Sequence, residues 1–434
     1  MTTSTLPFLV SAPGKIILFG EHSVVYEKPA IAASTASLRT YLLVSEANEQ
    51  DSVELDFPDI KFNQKWSVSK LKQNYESFKD ELLQNTLAKP SSLSYAPSQD
   101  SHLSPILTEK LIPPLLSNLQ PNSIHYNAAL CFLYLYFSIN PPSQSTIPNL
   151  KFTIKSTLPI GAGLGSSASI SVTLSAALLH LQDPTNHLMK MKDIINKWSY
   201  IGEKCIHGDP SGIDNLISTY GKAIYFQRNH PENQKILTTF PLLPMILTYT
   251  GIPRSTKTLV SGVRSLYRGK NTLCQTLLDA MGIVSEDALE LFDHFQYTQS
   301  EFEELFQLVR INHGLLVSLG VSHPGLERIR CVSDELGIGE TKLTGAGGGG
   351  CAFTILQKNL EREQVVEFKD KLENGLGYKT FETGLGGAGC CYLPRMAMTN
   401  DDLVNVLKVF SNSVSKTQLD STLLPEKSNL SWII

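Results

Sequence analysis

The residues best suited to chemistry fall in three stretches. The first is Gly161-Ala162-Gly163-Leu164-Gly165-Ser166-Ser167-Ala168. Glycines let a backbone approach a ligand closely, and a helix starting here presents unsatisfied N–H groups and the positive end of its dipole. Phosphate is the matching ligand, and Ser166 and Ser167 add hydroxyls for phosphate or a magnesium ion. The bland alternative is a tight strand-to-helix turn with no ligand. The second stretch is Glu203-Lys204-Cys205-Ile206-His207-Gly208-Asp209-Pro210-Ser211-Gly212-Ile213-Asp214-Asn215. Glu203 lies near the end of a helical pattern, and Asp214 follows a turn of Gly, Asp, Pro, Ser and Gly. Two carboxylates on adjacent segments can serve one site, one holding magnesium and the other taking a proton from an alcohol. Each alone is equally well a cap or turn former. Asp209-Pro210 reads as turn only, His207 as a capping or packing histidine, and Ser211 lacks the His–Asp pair of a nucleophile. The third stretch is Thr344–Cys351, TGAGGGGC. Four consecutive glycines imply either close backbone packing or a mobile loop near phosphates.

A lysine near the N-terminus adds to this set. Lys15 opens an apolar strand after Pro13-Gly14, with Glu21 and His22 following. If buried, it needs a partner, and Asp214 is the candidate; otherwise it snorkels to the surface. Two other glycine-loop chemistries fit poorly. The P-loop pattern G-x-x-x-x-G-K-[ST] does not occur. Gly163, Gly165 and Ala168 match a dinucleotide-binding fingerprint, with Asp183 about twenty residues on. That Asp follows a helical stretch rather than a second strand, so a nicotinamide-dependent oxidoreductase is the runner-up.

The elements that must position these groups follow from periodicity. Residues 7–19 read as two strands with a turn at Ala12-Pro13-Gly14, and 37–57 as two alternating runs that are antiparallel neighbours. A buried helix spans 126–139, and a strand over 150–157 leads into the first glycine loop and a helix to about 181. Residues 190–206 have a helical face of Ile194, Ile195, Trp198 and Ile201. Polar 227–236 is the expected domain junction. Beyond it come a strand at 245–249, helices over 259–267 and 271–335, a strand at 352–356, a helix over 361–375 and strands near 378–382 and 389–393. The Ser/Pro-rich stretch 88–106 reads as an exposed insertion.

Bulk composition narrows the class. The chain has 434 residues, 42% hydrophobic and 18% charged, which suits a globular protein with a sizeable core, and its net charge of −4 gives no reason to expect nucleic acid or an anionic membrane as partner. The seven cysteines include no Cys-x-x-Cys pair, so reduced thiols are expected, with the adjacent Cys390 and Cys391 in the core. No signal peptide or long apolar span is evident, which makes the cytoplasm the expected location.

Taken together and in this order, Pro13-Gly14-Lys15, Pro159–Ala168 and Leu343–Cys351 resemble the motifs of the GHMP small-molecule kinases. The resemblance spans most of the chain. It implies an α+β fold of two domains, 1–235 and 236–434, the first like ribosomal protein S5 domain 2 and the second ferredoxin-like, with the site between them. The strings SAPGKIILFGEHSVVY (11–26), GEKCIHGDPSGIDN (202–215) and IPRSTKTLVSGVR (252–264) resemble the family's mevalonate-phosphorylating branch, of fungal type. Galactokinases place an Asp shortly after the Gly-Glu-His string, where this chain has Ser23-Val24-Val25. Sister kinases of galactose or homoserine and a catalytically dead sugar sensor are the alternatives.

The resemblance further implies ATP and Mg2+ as cofactors and transfer of the γ-phosphoryl group to the 5-hydroxyl of mevalonate. It assigns Lys15, Ser156, Gly161, Ala162, Gly163, Leu164, Gly165, Ser166 and Ser167 to the nucleotide, and Ser167 and Glu203 to magnesium. Asp214 would handle the hydroxyl proton beside Lys15, while Glu21, His22 and Thr256 would meet the substrate. Asp59 would lie near the nucleotide. A cytoplasmic homodimer in isoprenoid and sterol synthesis is the expected setting.

Overall fold

The computed structural model describes residues 6–84, 97, 102–142, 149–159, 161–184, 188–411 and 414–434. Most of the Ser/Pro-rich stretch 88–106 lies outside the described residues. The first half of the chain opens with β1 (Phe8–Phe19), β2 (Pro29–Glu46), β3 (Ser52–Phe57) and β4 (Phe62–Ser67), then α1 (Val68–Gln84) and α2 (Ile124–Ile139). It continues with β5 (Leu150–Ser156), α3 (Ser166–Gln182), α4 (Lys192–His207), α5 (Ile213–Tyr220) and the hairpin β6 (Ala223–Gln227) and β7 (Lys235–Leu237). The second half comprises β8 (Leu243–Tyr249), α6 (Thr256–Gly269), α7 (Asn271–Asp293), α8 (Gln299–Ser318), α9 (Pro324–Leu336), β9 (Gly339–Leu343), β10 (Cys351–Leu356), α10 (Arg362–Asp370) and β11 (Lys379–Leu385). The chain closes with β12 (Cys391–Leu393), α11 (Asn400–Ser411) and α12 (Lys416–Leu423).

The strands join in one twisted system of order β4-β3-β5-β2-β11-β8-β10-β9, with β1 pairing β2 and β12, and β6 pairing β2 and β7. Two expectations are corrected here. Residues 8–19 form one strand with no turn; the ladder shifts register between Pro13 and Lys15, where proline has no N–H to donate. The runs at 37–46 and 52–57 are not neighbours. β5 lies between them, antiparallel to β2 and parallel to β3. That insertion is what delivers the first glycine loop, which follows β5 directly, to the centre of the sheet.

Helix α2 is apolar nearly all round, as a helix covered on every side must be, and Ser123 caps it by accepting the Tyr126 N–H at 3.1 Å. It packs with α3 and α4 on the sheet over Phe8, Leu42, Phe132, Phe152, Val172 and Trp198. A second core joins Ile16, Phe19, Met245, Phe292 and Phe353, and so welds the end of β1 to β8, β10 and the helices of the second half. The last segment returns to the first half. β12 pairs with β1, and α11 and α12 cover Leu9, Tyr41 and Leu43. Arg39, 1% exposed, holds this return by donating to Ala388 O at 2.7 Å and Gly389 O at 2.6 Å.

Candidate active site

The first glycine loop alternates anchors with turns. Ala162 and Leu164 are buried, while Gly161, Gly163 and Gly165 take φ of 73°, 78° and 71°, the left-handed region where a side chain is strained. Gly165 is the N-cap of α3 and has no side chain to cap it, so the first N–H groups of the helix stay available to an anion. The loop rests on β1, where Lys15 N donates to Leu164 O at 2.8 Å. Gly14 permits that approach: a Cβ there would lie 2.3 Å from Leu158 Cδ2 and 2.8 Å from Leu164 O.

Lys15 turns its side chain to Asp214, Nζ to Oδ1 at 3.1 Å, with 11% and 31% of the two side chains exposed. Asp214 sits in the first turn of α5, a helix not foreseen from the sequence because it is only eight residues long and begins inside a turn string. Its N-cap is also a left-handed glycine, Gly212. A Cβ on Gly165 would lie 3.1 Å from Lys15 Cγ and 3.4 Å from Asp214 Oδ2, so the ion pair lies against the last glycine of the loop. Hydroxyls fix the frame: Ser169 Oγ donates to Ala12 O at 2.7 Å and Ser218 Oγ to Pro13 O at 2.8 Å.

Glu203, on the last turns of α4, is 3% exposed, and its Oε1 has no hydrogen-bond partner. Burial pushes its carboxyl up to about 7, helped by the charge of Asp214 and opposed by a hydrogen bond from Ser167 and by Lys15. An unpartnered buried carboxylate oxygen beside a serine hydroxyl is a donor set for a hard divalent cation. No group of three or more His, Cys, Asp and Glu among the described residues could hold a metal alone, so the remaining ligands would come from phosphate oxygens and water. His207, read from the sequence as structural, lines the site: its Nε2 lies 3.1 Å from Ser167 Oγ.

Two cavities meet at Ser166 and Ser167. The larger, about 1060 Å³, has walls including Phe57, Ile60, Ile170 and Phe381, with Ser156 and Asp59 among its polar groups. Asp59 Oδ2 accepts the Ser156 N–H at 2.6 Å. The smaller, about 590 Å³, contains Lys15, Glu203, Asp214, Thr256 and the backbone of Gly345 and Ala346. One side therefore suits a flat, partly apolar molecule and the other a small polar one, with the serine-tipped loop between them.

Two residues expected at the substrate are engaged within the protein. Glu21 is 1% exposed, its carboxylate paired with the buried ammonium of Lys342 and accepting from Asn312 Nδ2 at 3.2 Å. His22 borders the small cavity, but its Nε2 is 2.9 Å from Ala346 O and donates there. Arg254 was missed. Its guanidinium donates to Ala162 O at 3.0 Å and Thr344 O at 3.3 Å, fastening the two glycine loops together. A Cβ on Gly163 would fall 2.4 Å from Arg254 Nη2, and one on Gly350 2.7 Å from its Cζ. Both loops are thus glycine-rich in part because they wrap one side chain. The second loop is packed rather than free: a Cβ on Gly347 would lie 2.0 Å from Val321 O.

Two family models and several known proteins match the chain. The model of the GHMP kinases N terminal domain matches residues 125–222, and that of the GHMP kinases C terminal matches 288–373. The chain is 48% identical to the mevalonate kinase of Saccharomyces cerevisiae over 99% of both chains. Its fold is similar to that of Methanococcus jannaschii mevalonate kinase, TM-score 0.61 at 23% identity, over 88% of this chain and 99% of the other. It is also similar to L. major mevalonate kinase solved with R-mevalonate, TM-score 0.60 at 21% identity, over 87% and 96%.

Proposed function

The chain belongs to the GHMP kinases and, within them, to the mevalonate kinases of fungal type, and from that premise we propose how its own residues carry out ATP-dependent phosphorylation of the 5-hydroxyl of mevalonate, an early step of isoprenoid and sterol synthesis. ATP lies in the larger cavity with its phosphates on the Gly161–Ser167 loop, where open backbone N–H groups and the α3 dipole meet negative charge. Mevalonate lies in the smaller cavity. Its hydroxyl oxygen attacks the γ-phosphorus, the bond from that phosphorus to the β,γ-bridging oxygen breaks, and Asp214 receives the hydroxyl proton. Lys15 holds Asp214 in place through their ion pair and stabilises the developing alkoxide. Thr256 and His22 shape the mevalonate side, and Glu21 holds that wall from behind through Lys342. Ser156 borders the nucleotide.

Ser167 and Glu203 would hold Mg2+, to which the orphan Glu203 oxygen is suited. Held there, the ion would supply positive charge to offset that of the phosphates.

The single observation carrying this reading is the Lys15–Asp214 pair set against Gly165, in the smaller cavity beside the serines where the two cavities meet. Its test is steady-state turnover of Asp214→Asn with MgATP and mevalonate. A loss of about 10²–10⁴-fold in kcat is expected; turnover near wild type would remove Asp214 from the chemistry. The family resemblance further supports a cytoplasmic homodimer divided near residue 235. No described helix is long and apolar enough to cross a membrane. Sedimentation velocity of the purified enzyme tests the dimer.

A further inference from the structure

The larger cavity carries two opposite charges from remote parts of the chain. Asp59 stands in the turn Pro58–Ile60 after β3, and Lys416 is the first residue of α12, after its N-cap Ser415. They grip the backbone of two successive residues at the end of β5: Asp59 Oδ2 accepts from Ser156 N at 2.6 Å, and Lys416 Nζ donates to Thr157 O at 2.6 Å. The ammonium also lies 5.2 Å from the centroid of Phe381 on β11. Three otherwise separate parts, the C-terminal helix, the strand feeding the phosphate loop and the second half of the chain, therefore meet at one lysine.

Helix electrostatics do not explain it there, because a cation in the first turn faces the positive end of the dipole. Burial lowers the pKa of Lys416 and raises that of Asp59, and each charge partly offsets the shift of the other. An ammonium has three donors, of which Thr157 O takes one, and a carboxylate has acceptor capacity beyond one N–H. Between apolar walls that include Phe57, Ile60 and Phe381, this donor-plus-acceptor pair is the chemistry that recognises a nucleoside, whose base edge and ribose each offer both kinds of group.

We propose that Lys416 is a nucleotide-binding residue that, with Asp59, reads the nucleoside end of ATP, so that the C-terminal helix completes the nucleotide site. This rests on the assignment of the larger cavity to ATP. The test compares wild type, Lys416→Ala and Lys416→Arg in steady-state kinetics and in calorimetric binding of MgATP and of inorganic tripolyphosphate, which has no nucleoside. Lys416→Ala is expected to raise KM and Kd for ATP about 10-fold, the scale of one charge-assisted hydrogen bond. Its kcat, its KM for mevalonate and its affinity for tripolyphosphate should stay within about twofold. Lys416→Arg should recover most of the ATP affinity. An unchanged Kd for ATP would overturn the proposal, whether or not Tm falls, since Lys416 would then be only a prop for Thr157. Equal weakening of ATP and tripolyphosphate would overturn it too, because the lysine would be acting on phosphate. Ile170→Trp, which narrows the same cavity from its α3 wall, tests the underlying assignment: an unchanged Kd for ATP in that variant as well would sink the assignment, so the two failures are distinguishable.

Discussion

Glu21 and Lys342, 321 positions apart, form an ion pair in which neither side chain has any exposed surface. Burial raises the pKa of the acid and lowers that of the lysine, while their mutual attraction and the Asn312 amide keep both charges tolerable. Removing one partner strands the other. Glu21→Gln or Lys342→Met is expected to cost about 3–5 kcal/mol of stability. The double replacement should cost less than the sum of the two. Chemical denaturation of the three variants checks this; additive losses would show that the pair is not coupled.

If Glu203 holds Mg2+ as proposed, binding of the ion will depend on pH. Its folded-state carboxyl titrates near 7, above its ordinary 4.5. A raised acid stabilises the metal-free fold below its ordinary value, and that contribution is lost as pH rises from 4.5 to about 7. Added Mg2+ should therefore raise Tm little at about pH 6 and more at about pH 8. Glu203→Gln should flatten the difference. Asp214→Asn should move the midpoint down, since it removes a charge that raises it.

Gly161 and Gly165 share a left-handed φ, 73° and 71°, but not a neighbourhood. Nothing lies within 4 Å of a Cβ on Gly161, whereas one on Gly165 meets Lys15 and Asp214. Alanine at either should cost about 1–2 kcal/mol from backbone strain. Only Gly165→Ala should also lower kcat strongly, by about 10-fold or more, because it displaces the ion pair. Paired Tm and kcat measurements separate strain from displacement.

Arg254→Ala should loosen both glycine loops at once. Two carbonyls lose a charged donor, a change of about 1.5–3 kcal/mol for each such bond. Hydrogen exchange should quicken together over 161–165 and 345–350. Quickening in one loop alone would mean that the arginine does not join them.

Cys390 and Cys391 are buried, burial pushing the Cys390 thiol up to about 12 and raising Cys391 as well, while Cys331 is exposed. A thiol reagent should titrate Cys331 rapidly in the native protein, and Cys390→Ser or Cys391→Ser should retain turnover.

The phosphate loop was legible because its chemistry is local: glycine spacing, paired serines and a following helix all lie within ten residues. Lys15 and Asp214 could be paired as candidates because a charge opening an apolar strand needs a partner. The strand order was not legible. β2 and β3 adjoin in sequence, yet β5, nearly a hundred residues later, comes between them, and periodicity carries no long-range pairing. Glu21 sits beside His22 in a polar-looking string, and nothing there announces that Lys342 buries it. Arg254 was one basic residue in a loop, and its role depends on two carbonyls from distant glycine loops. His207 looked like an ordinary helix end because the hydroxyl it faces lies forty positions away.

β12 pairs Leu393 with Leu9, so the chain's first strand finds one of its neighbours 384 positions later, long after the ribosome has released the strand itself. Until then the newly made N-terminal half presents an unzipped edge of Leu9, Val10 and Ser11, ready to pair with another nascent copy. Synthesis stalled before Cys391 would release a chain with most of its catalytic residues and a sticky seam, a product for proteases or chaperones rather than a shorter enzyme.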